Sequence, residues 1–237
     1  MLQTVIQLQW LAIKMQPNGR VSNREVIPLS WTLDHVGPIC RSVEDTALML
    51  SVIAGYDELD PSSVEMPVSD YSSASKVQVS QLRLGIPRSP FFDGADAEIG
   101  KVVDAAIEVL RKLTAIVGEV ALPVVDISMD EVYTRVRSVE AYTYHSRRIA
   151  ESPEKYQPST RERIQNGAKI KTQEYVQARR DIDLLRREIK KTFASVDLLI
   201  RPTLPTLPVP ISQGADPKSV SNLLASSALG QYVSAAA

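Results

Sequence analysis

"LRLGIPRSPFFDGADAEIGKVVDAAIEVLRKLTAIVGEVALP", residues 82–123, decides the fold class. "LRLGIP" (82–87) is a short apolar run closed by a proline and reads as a buried strand. Asp96 is placed to cap a helix whose apolar residues Ile99, Val103, Ala106, Leu110 and Leu113 recur at spacings of 4, 3, 4 and 3. Gly118 is the expected stop, and "EVALP" (119–123) the next strand. Strand, helix and strand within about 40 residues make the pattern of a βαβ unit, so the expected class is α/β. A parallel crossover of this kind is expected to be right-handed.

Downstream, residues 129–150 are expected to form one amphipathic helix, with Val132, Val136, Val139 and Tyr142 along one face. Pro153 and Pro158 interrupt it. Thr160 starts a short helix that Gly167 should end. Thr172 opens a long helix to about residue 194, carrying Tyr175, Ala178, Ile182, Leu185, Ile189 and Phe193. "VDLLI" (196–200) reads as a strand, and the prolines at 202, 205, 208 and 210 exclude helix or central strand beyond it. Upstream, "REVIPLSWTL" (24–33) reads as extended and Gly37–Pro38 as a turn. Ser42 caps a helix bearing Ala47, Leu50, Ile53 and Ala54, with Gly55 as its stop. Residues 57–76 read as loop, and no repeat of 20–50 residues is visible.

The 237 residues are 44% hydrophobic and 23% charged, ordinary for a globular chain. The net charge of −1 provides no long-range attraction to nucleic acid or anionic membrane. Cys40 is the single cysteine, so neither an internal disulfide nor a multi-cysteine metal site is expected. "MLQTVIQLQWLAIKM" is too short and too polar to span a bilayer and lacks a secretory cleavage pattern. A cytoplasmic protein without a membrane anchor is expected.

Ser30, Asp34 and His35 offer a nucleophile, an acid and a base within six positions. On a strand Asp34 and His35 point to opposite faces, and Ser30 and Asp34 lie about 13 Å apart at roughly 3.3 Å per residue. The spacing therefore supports a polar strand end with Asp34 bonded to nearby backbone, rather than a triad. No G-x-S-x-G, P-loop or G-x-G-x-x-G occurs. His35 and His145, the two histidines, stand in no metal-binding pattern, so no metal and no cofactor is expected. The basic residues Arg179, Arg180, Arg186, Arg187, Lys190 and Lys191 interleave with Asp181, Asp183 and Glu188, which reads as a solvated helix face with internal ion pairs. "EAYTYH" (140–145) groups Tyr142, Tyr144 and His145, either as packing or as a pocket wall.

"GRVSNREVIPLSWTLDHVGPICRSVEDTALMLSVIAGYDELDPSS", "VEAYTYH", "TRERIQNGAKIKTQEYVQARRDID" and "DLLIRPTLPTLPVPI", in this order and with the βαβ segment between them, resemble the amidase-signature family over residues 17–211. The resemblance is to general bacterial amidases and to the A subunit of the glutamyl-tRNA(Gln) amidotransferase. It implies an α/β/α sandwich around a mixed, mainly parallel sheet. It also implies amide hydrolysis by a Ser–cis-Ser–Lys triad: one serine attacks the carbonyl, the second relays its proton, and a neutral lysine is the final base. In the family all three, and the oxyanion loop, precede the segment matching Gly19–Ser22. "MLQTVIQLQW" holds no serine, and Lys14 matches the lysine of a short structural run. No catalytic residue is carried over. Residues 212–237, with "LLASSALGQYVSAAA" around Gly230, depart from the family pattern.

The resemblance thus implies a single, incomplete amidase-signature domain, inactive alone, whose ends 1–16 and 212–237 diverge. It would contribute a substrate pocket wall, with Tyr142, Tyr144 and His145 and with Arg161 or Arg163 as a bidentate carboxylate or carbonyl clamp. Surface pairing of those arginines with Glu154 and Glu162 is the alternative. The expected partners are a small-molecule amide and a complementing amidase half or amidotransferase subunits. A non-catalytic scaffolding module without turnover is the competing reading. A hydrolase rebuilt around Ser30 or Ser22 with His35 or Lys14 is a third, unsupported by local geometry.

Overall fold

The computed structural model describes residues 19–74, 78–122, 129–202 and 205–207. Lys14, Pro208, Pro210, Gly230 and the rest of both ends lie outside the described residues. The chain divides into two compact units. One contains the described residues up to 74 and 135–172; the other contains 78–134 and the described residues from 173.

The second unit holds the expected βαβ element. Strand β1 (Arg83–Ile86), helix α2 (Ala97–Leu113) and strand β2 (Ile116–Glu119) follow in order, and the two strands pair parallel from Arg83↔Ile116 to Ile86↔Glu119. Strand β3 (Leu198–Leu199) joins β1 on its other side, also parallel, giving the order β2-β1-β3. The central strand buries Leu84, Gly85 and Ile86, whereas β2 leaves Ile116 and Glu119 exposed. β3 is short, but hydrogen bonds from Asp197 N to Arg83 O and from Ile200 N to Gly85 O, both 2.8 Å, extend the ladder. The Arg83 guanidinium grips the Asp197 carboxylate at 2.7 and 3.3 Å and its amide adds a third bond at 2.8 Å. Arg83 thereby holds the Asp197 carboxyl below its ordinary range.

Three expectations in this stretch are corrected, the first being the second strand, expected at 119–123 and found at Ile116–Glu119. Asp96 caps α2 as expected, accepting from Glu98 N at 2.8 Å. The helix, however, ends at Leu113 and not at Gly118. The Thr114 amide and hydroxyl both turn back to Leu110 O, and the β-branched pair Ile116–Val117 favours the strand that follows. Gly118 lies inside β2, opposite Gly85. The buried face also turns by one position: Ile107 is fully buried and Ile99, Val103 and Leu110 half-buried, while Ala106 and Leu113 are exposed. Phe91, Leu122, Leu185 and Ile189 form this unit's apolar cluster. The last two belong to helix α5 (Thr172–Thr192), whose buried residues Ala178, Ile182, Leu185 and Ile189 lie on the expected stripe. Its outer face carries the expected local ion pairs, Arg186–Asp183 and Lys191–Glu188.

In the first unit, helix α1 (Val43–Ile53) is capped by Ser42 Oγ, which accepts from Asp45 N at 3.0 Å. Ala54 follows in an extended conformation and pairs with Val21, and the Gly55 amide donates to Arg20 O. Gly55 therefore joins a backbone bridge and is not a left-handed stop. Val21, Leu50 and Ala54 form the core beneath, with Val36, Ile53 and Tyr71 against it. Gly19 has φ +85°, and a Cβ there would lie 1.9 Å from Ser62 O, so both conformation and contact require glycine. The buried Arg20 guanidinium is satisfied by the Tyr71 hydroxyl and by the carbonyls of Met66 and Pro67.

The same unit contains helix α3 from Arg135 onward (α3 spans Met129–Glu151) and helix α4 (Pro158–Gln165). Ala141, Ile149 and Ile164 pack together with Tyr142 and Tyr156 alongside. α4 starts two residues before Thr160 because Pro158 occupies the first turn, where its fixed φ fits and its missing N–H costs nothing. Gly167 does not terminate α4. It lies in the following 3-10 turn, Asn166–Lys169, against the backbone of α3.

Candidate functional site

The first unit gathers the polar and aromatic residues that the sequence singles out. The run 24–33 forms turns, not the expected strand. Asp34 Oδ2 accepts from Leu29 N at 2.8 Å and Ser30 N at 3.0 Å, and the amides of Leu33 and Asp34 close back on Ser30 O. Those bonds satisfy the backbone locally, so no sheet partner is needed. Ser30 and Asp34 are thus in direct contact rather than a strand's length apart.

Ser30 is 1% exposed, and its hydroxyl donates to Glu140 Oε2 at 2.6 Å. Thr32 donates from its amide to the same oxygen at 3.1 Å and from its hydroxyl to Oε1 at 2.8 Å. Glu140, 4% exposed, therefore clamps both sides of Trp31. His35 is exposed and its Nδ1 bonds Leu33 O. Ser30 is thus engaged with a carboxylate and closed to solvent, and the local trio is not a triad, but the reason is this engagement and not the strand separation that the spacing argument assumed.

His145, on α3, secures the preceding turn. Its Nε2 lies 2.9 Å from Pro28 O, and a carbonyl only accepts, so Nε2 carries the proton. Nδ1 meets the Tyr156 hydroxyl at 2.9 Å, as acceptor in the neutral ring. Trp31, Tyr144, His145 and Tyr156 then follow one another edge to face, with centroid separations of 6.0, 4.8 and 5.6 Å. Such contacts each add about 1 kcal/mol beyond burial. The Arg148 guanidinium covers the Tyr144 ring at 4.3 Å.

Trp31 and Tyr144 face a cleft of about 560 Å3, also lined by Asn23, Arg24, Val26 and Pro28. Its opposite wall comes from 59–62 and is held by two aspartates. Asp57 accepts from Ser22 Oγ and Arg24 Nε, and Asp60 from the amides of Asn23 and Ser62. The Ser22 hydroxyl is the main cause holding the Asp57 carboxyl below its ordinary range. At Asp60 burial pushes the carboxyl up, but hydrogen bonds from Ser62, Asn23 and Ser22 outweigh it and the net shift is downward. A lowered carboxyl contributes stability that is complete above the unfolded value near 3.8 and is lost as pH falls through the folded value. Asp60→Asn should therefore lower the urea midpoint at pH 6, and its deficit against the parent should shrink as pH falls below about 4. A deficit constant from pH 6 to pH 2.5 would contradict the assigned hydrogen bonds.

Of the residues expected on the substrate side, Tyr144 lines the cleft and His145 lies behind it. Tyr142 is half-buried against the Ala141–Ile149–Ile164 cluster. Arg161 donates to Pro153 O at 3.0 Å, and Arg163 is exposed on α4. Glu140 and Trp31 are the residues that sequence reasoning missed. Glu140 had a signal: it follows Val132 and Val136 at four-residue steps, an acid on an apolar stripe. Trp31 had none, because its neighbour Tyr144 is more than 100 positions away.

Among the described residues no cluster of three or more His, Cys, Asp or Glu is placed to hold a metal, and no helix is long and apolar enough to cross a membrane.

Comparison with known proteins identifies the family and the fold. The amidase family matches residues 17–236. An amidase of Pseudomonas putida is 40% identical over 195 residues, 82% of this chain and 42% of its own. The A subunit of the glutamyl-tRNA(Gln) amidotransferase of Geobacter sulfurreducens is 34% identical over 222 residues, 84% of this chain and 46% of its own. One solved chain superposes with a TM-score of 0.80 at 24% identity, covering 92% of this chain and 48% of that one. It comes from a vestigial protein complex bearing on the origins of an s-triazine catabolic enzyme, and it supports the fold. The chain spans about half the length of the curated relatives it matches. With its α/β topology and this extent of match, the chain belongs to the amidase family, sharing the fold of the amidase-signature enzymes.

Proposed function

We propose that these 237 residues form part of a single amidase-signature domain and supply the wall against which a small carboxylic amide is held. Hydrolysis then requires the Ser–cis-Ser–Lys residues and oxyanion loop that the family resemblance puts ahead of Gly19, so the 237 residues alone do not turn over substrate. The observation that carries this reading is the state of Ser30. Ser30, next to the cleft residue Trp31, is buried and bonded to Glu140, and Ser62 on the cleft wall donates its hydroxyl to Asp60, which leaves Trp31 and Tyr144 to shape a surface rather than perform chemistry. We assign Tyr144 the direct contact with substrate. His145 acts by fixing Pro28, and Tyr142 by supporting α3 from the core. Arg161 or Arg163 is assigned the clamp for a carboxylate or carbonyl. A cytoplasmic setting suits the single thiol, Cys40. The match to one subunit of an amidotransferase supports further subunits as partners, while the missing groups correspond to the unmatched part of the relatives' own chain.

The test pairs an aryl amide with a fluorophosphonate probe. The expected result is no turnover and no labelled serine with the 237 residues alone, and turnover once the unmatched amino-terminal part of the Pseudomonas putida amidase is added. Labelling of Ser22 or Ser30 together with turnover by the lone chain would overturn the reading.

The scaffolding alternative is favoured by one observation, the apolar residues Leu48 and Val52 exposed on α1. It predicts association with the added part and no turnover.

A further inference from the structure

The ladder of rings that runs from α3 to the cleft is open at one end. His145 and Tyr144 each have a ring on either side, and Tyr156 and Trp31 are the outer members. Tyr156 packs against the Ala141–Ile149–Ile164 cluster. Trp31 ends in the cleft, 47% exposed, with Tyr144 as its one ring partner among the described residues. The planes of Trp31 and Tyr144 stand 82° apart, so the two rings make a corner. A planar ring in such a corner lies against one neighbour and turns its edge to the other, the two arrangements that aromatic pairs prefer. Val26, Pro28, Leu59 and Pro61 continue the apolar lining. The polar groups beside them are engaged by the protein itself. Asp34 Oδ2 accepts from the amides of Leu29 and Ser30, Asp60 from the amides of Asn23 and Ser62 and from the Ser62 hydroxyl, and Arg24 Nε donates to Asp57. A cleft of about 560 Å3 with this lining has the size and character of a small-molecule site.

Charge narrows the ligand further. Glu25, Asp34 and Asp60 stand along the cleft, and the one guanidinium among them, that of Arg24, is paired with Asp57 and Glu25. An anionic ligand is therefore repelled. The Arg148 guanidinium already occupies one face of Tyr144 at 4.3 Å, so the corner is not an open cage for a cation either. We propose that the Trp31–Tyr144 corner is the subsite for the aromatic ring of a neutral aryl carboxamide, and that Trp31 determines the preference for that ring. The amide group of the ligand rests on the proposed function above, whereas the ring preference rests on the cleft alone. An aliphatic amide of the same bulk fills the same apolar space but gains nothing from the two ring edges and faces. A second carboxylate on the ring meets the three acids of the cleft.

The experiment titrates the 237-residue chain with benzamide, cyclohexanecarboxamide and 4-carbamoylbenzoate by ligand-observed NMR, with the indole N–H of Trp31 as the reporter of the site. Benzamide should bind about fivefold more tightly than cyclohexanecarboxamide, the ratio expected of an aromatic contact beyond burial. 4-Carbamoylbenzoate should bind at least about threefold more weakly than benzamide at low salt, with a gap that closes as salt is added. Trp31→Leu keeps an apolar side chain and removes the ring, so it should bring the two neutral amides to equal affinity while leaving cyclohexanecarboxamide within about twofold of the parent. Tyr144→Leu removes the other side of the corner and serves if Trp31→Leu does not fold as judged by circular dichroism. Equal affinity of the parent for the two neutral amides, no binding of either, or a ring preference that survives the folded variants would each overturn the inference. Turnover is followed separately after adding the unmatched amino-terminal part of the Pseudomonas putida amidase. A Trp31-dependent ring preference without turnover would keep this subsite and reject the hydrolytic reading. Turnover without a ring preference would do the reverse.

Discussion

Glu140→Ala is expected to cost about 4 kcal/mol of unfolding free energy, because hydrogen bonds to a buried carboxylate contribute about 1.5–3 kcal/mol each and stranded donors add their own penalty. Three donors lose their acceptor at once: Ser30 Oγ, Thr32 N and Thr32 Oγ1. Ser30 is too deeply buried for water to replace the lost oxygen without opening the turn. For a chain of this size such a loss lowers the thermal midpoint by about 12 °C. Glu140→Gln retains one acceptor oxygen but turns an amide toward a donor, so about half of the loss should remain. Urea denaturation followed by circular dichroism reads both variants. A deficit below about 1 kcal/mol for the alanine variant would mean that the clamp on Trp31 carries little weight. The fluorescence of Trp31 offers a second view: release of Ser30 and Thr32 frees the indole from Tyr144, and its emission should move to the red.

Gly167→Ala should be destabilising by about 3 kcal/mol, the upper range for forcing an extra methyl into a packed site. The added Cβ would stand 2.0 Å from Ser138 O, 2.7 Å from its carbonyl carbon and 2.8 Å from Tyr142 Cβ. The first two are backbone atoms of α3 and cannot swing aside. Gly167 does not have a positive φ, so chain entropy alone would favour alanine by about 0.4–1 kcal/mol. The two arguments give opposite signs, and the contact wins because it is shorter than any real Cβ approach. Hydrogen exchange localises the effect: the Ile170 amide, which donates to Gly167 O, should lose protection before the interior of α3 does. A neutral or stabilising alanine would show that the 3-10 turn moves off α3 at little cost.

The family, the strand–helix–strand order and the starts of α1, α2 and α5 were legible in the residues because each depends on neighbours within a few positions. Ser42 and Asp96 accept from amides three and two residues on, and α2 is long enough to serve as the crossover that the parallel pair β1 and β2 needs. The stripe on α5 likewise follows from a repeat of 3.6 residues. Tertiary structure decided the rest. Residues 24–33 have the β-branched and aromatic composition of a strand, yet Asp34 and Glu140 satisfy their polar groups in a turn, and Glu140 is 110 positions from Ser30. Gly167 has the look of a helix stop, and only the passage of α3 beside it makes the missing side chain necessary. The physical division is one of range. Caps, periods and crossovers are set by local sterics and local hydrogen bonds, whereas the cleft around Trp31 and Tyr144 exists only after distant segments have exchanged water for one another.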